Sequence, residues 1–179
     1  MKKACIIVTN GFEELEAVGT YALLKRCGLE VDIYSLRGEN AEGRFGLHCT
    51  HLHPLSTLQA EEYDALVLPG GPQYKELEAS HEVQQLLAAF IRNGKVVGAL
   101  CASPTILGHA GYLTGKQYTC FTSMNEDFGG IFTDQYATVD GNIITGQSAA
   151  ATVDFAFAVA EKLLGKTHIE EVKHSIYYK

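Results

Sequence analysis

No run of basic residues occurs anywhere in this chain, and with a formal charge of −7 a nucleic-acid or anionic-membrane surface is excluded as its business. No apolar stretch approaches the length of a membrane span. The apolar segment behind Met1-Lys2-Lys3, Ala4 to Val8, is too short for a signal-peptide core, and the acidic Glu13-Glu14-Leu15-Glu16 follows at once. The expectation is a cytoplasmic protein without an export signal. No Cys-x-x-Cys occurs, and the five cysteines (5, 27, 49, 101 and 120) are odd in number and irregularly spaced. That pattern excludes a disulfide framework and a zinc finger and fits reduced thiols. Repeats, low-complexity tracts and linkers are also missing, so residues 1–179 are expected to form one domain, long enough to bury a core without staples.

What is present is an alternation of short apolar runs and longer helical patterns. Ala4–Val8, Ala65–Leu68 and Lys95–Leu100 read as strands buried on both faces, Glu30–Tyr34 as a second strand in chain order, and Ile143–Thr145 as a late one. Between them, residues 13–27 carry a stripe at Leu15, Val18 and Ala22 that Gly28 closes; His81 to Arg92 is helical up to Asn93-Gly94. A helix containing Thr105, Ile106 and Leu107 follows, and a last one runs from about Ala149 to Leu164, with Val153, Ala156, Ala160 and Leu163 along one side. Arg44 to His53 alternates more freely and suggests a small antiparallel excursion. The class is α/β, with a mostly parallel central sheet covered on both faces, and ligands are expected outside the carboxyl ends of its strands.

Three such ends carry distinctive residues: Asn10-Gly11-Phe12-Glu13-Glu14-Leu15-Glu16, Leu68-Pro69-Gly70-Gly71-Pro72 and Ala99-Leu100-Cys101-Ala102-Ser103-Pro104. The third has the form of a nucleophile elbow, in which small residues two places either side (Ala99 and Ser103) allow a sharp strand-to-helix turn. A buried core cysteine is the bland alternative, and the strand-end placement weighs against it. A helix N-terminus beside Cys101 would favour its thiolate. Gly70, Gly71 and Ala102 are candidates to line an oxyanion hole with backbone N–H groups, although Pro-Gly-Gly is also ordinary turn chemistry. A carboxyl at Glu16, partly buried against a thiolate, would be pushed toward its protonated form. An acidic first helical turn accounts fully for Glu13 and Glu14, and the residues alone do not set Glu16 apart from them.

Taken together, the three motifs resemble the ThiJ/PfpI superfamily, in the branch of the Parkinson-disease-associated protein deglycase and its bacterial relatives. Tyr63-Asp64 and Asp154-Phe155 fit as well, and the likeness spans essentially the whole chain. It implies a flavodoxin-like three-layer sandwich, usually a homodimer, with a nucleophilic, peroxide-sensitive Cys101 and a protonated Glu16. It also implies cofactor-free, metal-free conversion of small 2-oxoaldehydes or glycated substrates, or else redox sensing or chaperoning through oxidation of Cys101.

Three departures stand out. Ala102 replaces the histidine of the protease-like branch, which argues against a peptidase. Cys120, in Tyr118-Thr119-Cys120-Phe121, stands where the human-type proteins have a histidine, and a thiol there is a candidate redox partner for Cys101. Ser148-Ala149-Ala150-Ala151 replaces a Gly-Pro-Gly-Thr segment. His51 and His53 would share a strand face and His48 the other, too few ligands for a tetrahedral metal site within one chain. Other α/β readings fail locally. The loop after the first strand is acidic where a flavodoxin needs a phosphate loop, Pro69-Gly70-Gly71 occupies the place of a phosphoacceptor Asp, and a glutamine amidotransferase's late His-x-Glu pair is missing.

Overall fold

The computed structural model describes residues 1–179. Its strands are β1 (Lys3–Val8), β2 (Glu30–Ser35), β3 (Ala41–Glu42), β4 (His48–Cys49), β5 (His53–Pro54), β6 (Ala65–Leu68), β7 (Val96–Leu100), β8 (Gln117–Tyr118), β9 (Ile131–Phe132), β10 (Ala137–Asp140) and β11 (Ile143–Gly146). The helices are α1 (Glu14–Arg26), α2 (Tyr74–Ala79), α3 (His81–Arg92), α4 (Pro104–His109), α5 (Thr152–Leu164) and α6 (Lys166–Ser175). A central sheet runs in the order β10-β11-β7-β6-β1-β2-β5, parallel throughout except for the β10–β11 hairpin. The architecture is a flavodoxin-like sandwich of helix, sheet and helix.

Alternate residues of β1 serve opposite cores, which is why its apolar run is unbroken. Ala4, Ile6 and Val8 pack with Leu24, Phe155 and Val159 under α1 and α5, whereas Cys5 and Ile7 pack with Leu87, Phe90 and Ile106 under α3 and α4. Strand order reverses between β1 and β6. The carboxyl ends of those two strands and of β7 therefore open on a crevice, the place where such sheets hold ligands.

Several sequence expectations are corrected. Leu15, Val18 and Ala22 lie on the outer face of α1, Leu15 being 54% exposed, and the buried face is Glu16, Ala17, Thr20 and Leu24. The cause is a close approach to α5: a Cβ on Gly19 would sit 2.9 Å from Thr152 Cγ2, so small residues mark the packed side and the apolar stripe is left outside. The antiparallel excursion exists but begins earlier than Arg44, with β3 and β4 paired around the turn 43–47, and His53 belongs instead to β5, parallel to the edge of β2. His51 lies outside any strand, with φ at 58°, so it shares no strand face with His53. The last long helix is preceded by a 3₁₀ turn at Ala149–Ala151, and Gly165, at φ 88°, separates it from α6.

Candidate active site

Glu13, Glu14 and Glu16, alike in the sequence, have different tasks. Glu13 is the N-cap of α1, its side chain accepting the Glu16 N–H at 2.8 Å. Glu14 reaches the β3–β4 turn, where its Oε1 accepts the Phe45 N–H at 2.6 Å. Glu16 is fully buried and turned toward the ends of β6 and β7. Its Oε2 accepts the Gly70 N–H at 2.7 Å, Oε1 is buried without a hydrogen-bond partner, and the carboxyl neighbours the Cys101 thiol.

Pro69-Gly70-Gly71 is the hinge of the arrangement. A Cβ on Gly70 would stand 2.7 Å from both Cys101 Cβ and Glu16 Oε2, so only glycine allows the carboxyl and the thiol to meet there. Gly71 has φ 87° and lies against the backbone of Gly11 and Glu13. The Pro69 carbonyl accepts from Ser103 Oγ at 2.7 Å and from Gln73 Nε2 at 2.8 Å, which ties the β6 loop to the elbow.

Cys101 holds a left-handed backbone at φ 63°. For a residue with a Cβ that conformation costs about 1–2 kcal/mol. It is kept by bonds on both sides: Cys101 N–H donates to Gly146 O at 2.9 Å, and its carbonyl accepts the Phe121 N–H at 2.8 Å. The N–H groups of Gly71 and Ala102 point at its sulfur. Gly70 was expected to supply a third oxyanion donor, but its N–H is occupied by Glu16, so the pair facing the sulfur is Gly71 and Ala102.

Burial raises the Glu16 carboxyl to about 7, and the charge of Glu13 adds to that; the Gly70 N–H, the Cys101 thiol and Arg44 oppose it. The Cys101 thiol is also raised, first by burial and then by the Glu16 carboxylate, against the pull of the Ala102 and Gly71 N–H groups. The sequence expectation of a depressed Cys101 pKa is therefore overturned, by burial first and by the Glu16 carboxylate second. The helix invoked for it, α4, has only six residues and begins at Pro104. Two acids sharing one buried space hold one negative charge between them, not two.

Beside Cys101 opens a cleft of about 310 Å³ lined by Gly71, Ala102, Pro72, Phe121 and Met124, with Arg44 and Lys75 at it as well. Neither cation was singled out from the sequence, where Arg44 lies in a Gly-flanked turn and Lys75 three residues beyond a Gly-Pro step. Cys120 is fully buried, its pKa raised by burial to about 11, and its thiol points at the Phe121 carbonyl and Asn125 rather than at Cys101. All five cysteines are free thiols. No cluster of three or more His, Cys, Asp or Glu side chains is placed to hold a metal ion, and no helix is long and apolar enough to cross a membrane.

Residues 2–162 match the family described as DJ-1/PfpI. The chain is 30% identical to the protein dj-1beta of Drosophila melanogaster over 96% of this chain and 94% of that one. It is also 30% identical to a deglycase of Pyrococcus horikoshii, over 83% of this chain and 91% of that one. The crystal structure of Drosophila DJ-1beta superposes with a TM-score of 0.93 at 29% identity, covering 99% of this chain and 98% of that one. A cysteine-to-alanine variant of a DJ-1 superfamily protein from Salmonella typhimurium superposes at 0.91 with 30% identity over the full length of both.

Proposed function

The chain belongs to the DJ-1/PfpI family, and from that premise we propose that it converts small 2-oxoaldehydes through Cys101, with Glu16 as proton carrier, as part of a defence against carbonyl stress. The observation that carries the reading is the meeting of a left-handed, part-buried cysteine with two backbone donors and a buried carboxyl of pKa about 7. The thiol adds to the aldehyde carbon: the S–C bond forms, the carbonyl π pair moves to oxygen, and the thiol proton follows it, giving a hemithioacetal. The Gly71 and Ala102 N–H groups hold the negative charge that develops in this step. Glu16 then takes the proton from the former aldehyde carbon, whose C–H pair becomes the C=C of an enediol as the neighbouring carbonyl oxygen gains a proton. The proton on Glu16 goes to the neighbouring carbon, the hydroxyl proton on the first carbon leaves as its C=O re-forms, and a hydroxyacyl thioester remains. Water hydrolyses that ester to the hydroxy acid and frees the thiol. A carboxyl near pKa 7 is suited to move protons in both directions at neutral pH. The deglycase among the relatives supports a carbonyl substrate.

The test is methylglyoxal consumption by wild type and Cys101→Ser side by side; equal rates would remove the proposal. A second reading, redox sensing with or without chaperoning, is favoured by the buried Glu16 carboxyl beside Cys101, one oxygen of which has no hydrogen-bond partner. There, two equivalents of peroxide oxidise the thiol to sulfinate with release of two waters, and protonated Glu16 donates to the new oxygen. Oxidation-dependent partner binding without aldehyde turnover would select it.

We further propose a homodimer formed through the outer stripe of α1 (Leu15, Val18) and the turn residues Phe45 and Leu47. All four are exposed, and Glu14 binds helix and turn into one surface.

A further inference from the structure

Arg44 and Lys75 both stand at the Cys101 cleft, one from the β3–β4 turn and the other from the first turn of α2. Neither side chain forms an ion pair within the chain, whereas Lys2, Lys3, Arg37, Lys116 and Lys173 all meet a carboxylate. Their mountings are firm. The Arg44 N–H donates to Phe12 O at 2.9 Å, its guanidinium lies 4.9 Å from the centre of the Phe45 ring, and Glu14 pins the turn from below. Lys75 follows Gln73, which is 2% exposed and bonded to the Thr9 N–H and the Pro69 carbonyl. Of the nearby carboxylates, Glu14 holds the turn through Oε1 and Glu16 holds Gly70 through Oε2, and Arg44 reaches Glu16 only through the field of its charge.

Two positive charges without an ion-pair partner, beside a small cleft with apolar walls, raise the local concentration of anions of matching size. A guanidinium adds a planar pair of donors suited to a carboxylate. We propose that Arg44 and Lys75 form an anion subsite and that the physiological substrate is a short 2-oxoaldehyde carrying a carboxylate at the end remote from the reacting carbon. This rests on the addition of Cys101 to aldehydes proposed above. The carboxylate does not react; it orients the aldehyde toward the sulfur while the S–C bond forms and the thiol proton passes to the carbonyl oxygen.

Paired alkylating agents test the subsite without turnover. Iodoacetate and iodoacetamide undergo the same displacement, with the S–C bond forming and iodide leaving, and differ in carrying or lacking a carboxylate. The ratio of their rates at Cys101, read by peptide mapping of the intact protein, cancels any change in thiolate fraction. The ratio should fall roughly threefold to fivefold in Arg44→Met and again in Lys75→Met, the scale of a charge pair a few ångströms apart at a solvated surface. In the double variant it should fall about tenfold, and high salt should lower the wild-type ratio toward that of the double variant. Both positions are exposed, so folding is not at stake. Equal ratios in wild type and double variant would overturn the subsite. Methylglyoxal turnover on the same samples separates the two proposals: anion preference without turnover keeps the subsite and removes the aldehyde chemistry, and turnover without preference does the reverse.

Discussion

Replacing Glu16 by glutamine keeps the shape of the side chain and its bond from Gly70 while deleting its titration. In wild type the folded-state pKa of Glu16 is raised from 4.5 to about 7, so the folded protein holds that proton more tightly than the unfolded chain does. The associated stability is fully present below pH 4.5 and is lost as pH rises through about 7. The loss is about 1.4 kcal/mol per pH unit, or about 3 kcal/mol across the window. Urea unfolding of wild type and Glu16→Gln from pH 4.5 to 7.5 reads it as a difference, in which other titrating groups such as Asp64 and His109 cancel. Relative to wild type, the variant should gain about 3 kcal/mol between those limits. A difference that stays flat within about 0.5 kcal/mol would refute the raised carboxyl and the proton-carrier role with it. The same variant should lose aldehyde turnover by roughly 10²–10⁴, because an amide cannot shuttle a proton. It should still accumulate some Cys101 sulfinate on mild peroxide treatment, because an amide can donate; Glu16→Ala should lose both.

Limited iodoacetamide labelling should modify Cys101, which lines the cleft, ahead of the buried Cys5, Cys27 and Cys120, and preferential labelling of any of those three would sink the assignment. At pH 8, Glu16→Gln should label faster than wild type, since removing the carboxylate charge takes away a cause of the raised thiol pKa. Gly70→Ala places a methyl group 2.7 Å from Cys101 Cβ and Glu16 Oε2. It should cost about 1–3 kcal/mol in urea unfolding and abolish turnover, and a fully active, equally stable variant would contradict the crowding described here. Sedimentation should show a dimer that Val18→Asp converts to monomer; wild type sedimenting as a monomer at micromolar concentration would exclude the proposed interface.

The buried strands were legible because a parallel sheet covered on both faces demands unbroken apolar runs, and β1, β6 and β7 supply them. The inner face of α1 was not, because closeness to α5 is achieved with Gly19, Ala17 and Thr20, while the larger apolar residues were left for the surface. Short elements such as α2, β8 and β9 carry too few residues to show a period, and α6 has one buried residue, Ile169. Cys101 could be found from local pattern alone, since a sharp turn imposes small neighbours on its own strand end. Glu16 could not be told from Glu13 and Glu14 by residue type, because each is defined by a partner distant in the chain or by its cap position. Arg44 and Lys75 were invisible for the same reason: they meet across the cleft from segments that share no local pattern.

The sequence suggests a Cys101 thiolate favoured by a helix terminus, and the structure sets burial and the Glu16 carboxylate against it. With α4 only six residues long, burial sets the sulfur's electrostatics first and the Glu16 carboxylate second, the two acids lying close enough to compete for one charge. While Glu16 is ionised the thiol keeps its proton. When Glu16 is protonated, the charge that opposed ionisation is gone, leaving burial, which still favours the thiol, against the Gly71 and Ala102 donors, which favour the thiolate. That arrangement needs the carboxyl held in place, which the Gly70 N–H secures by its bond to Oε2. It also needs the sulfur lifted out of the helical path, which the left-handed turn at Cys101 provides. Both features oppose folding at neutral pH, one through buried charge and one through backbone strain, and neither is needed to pack the sheet. Their coincidence at the point where strand order reverses is the strongest physical argument that this crevice is built for chemistry.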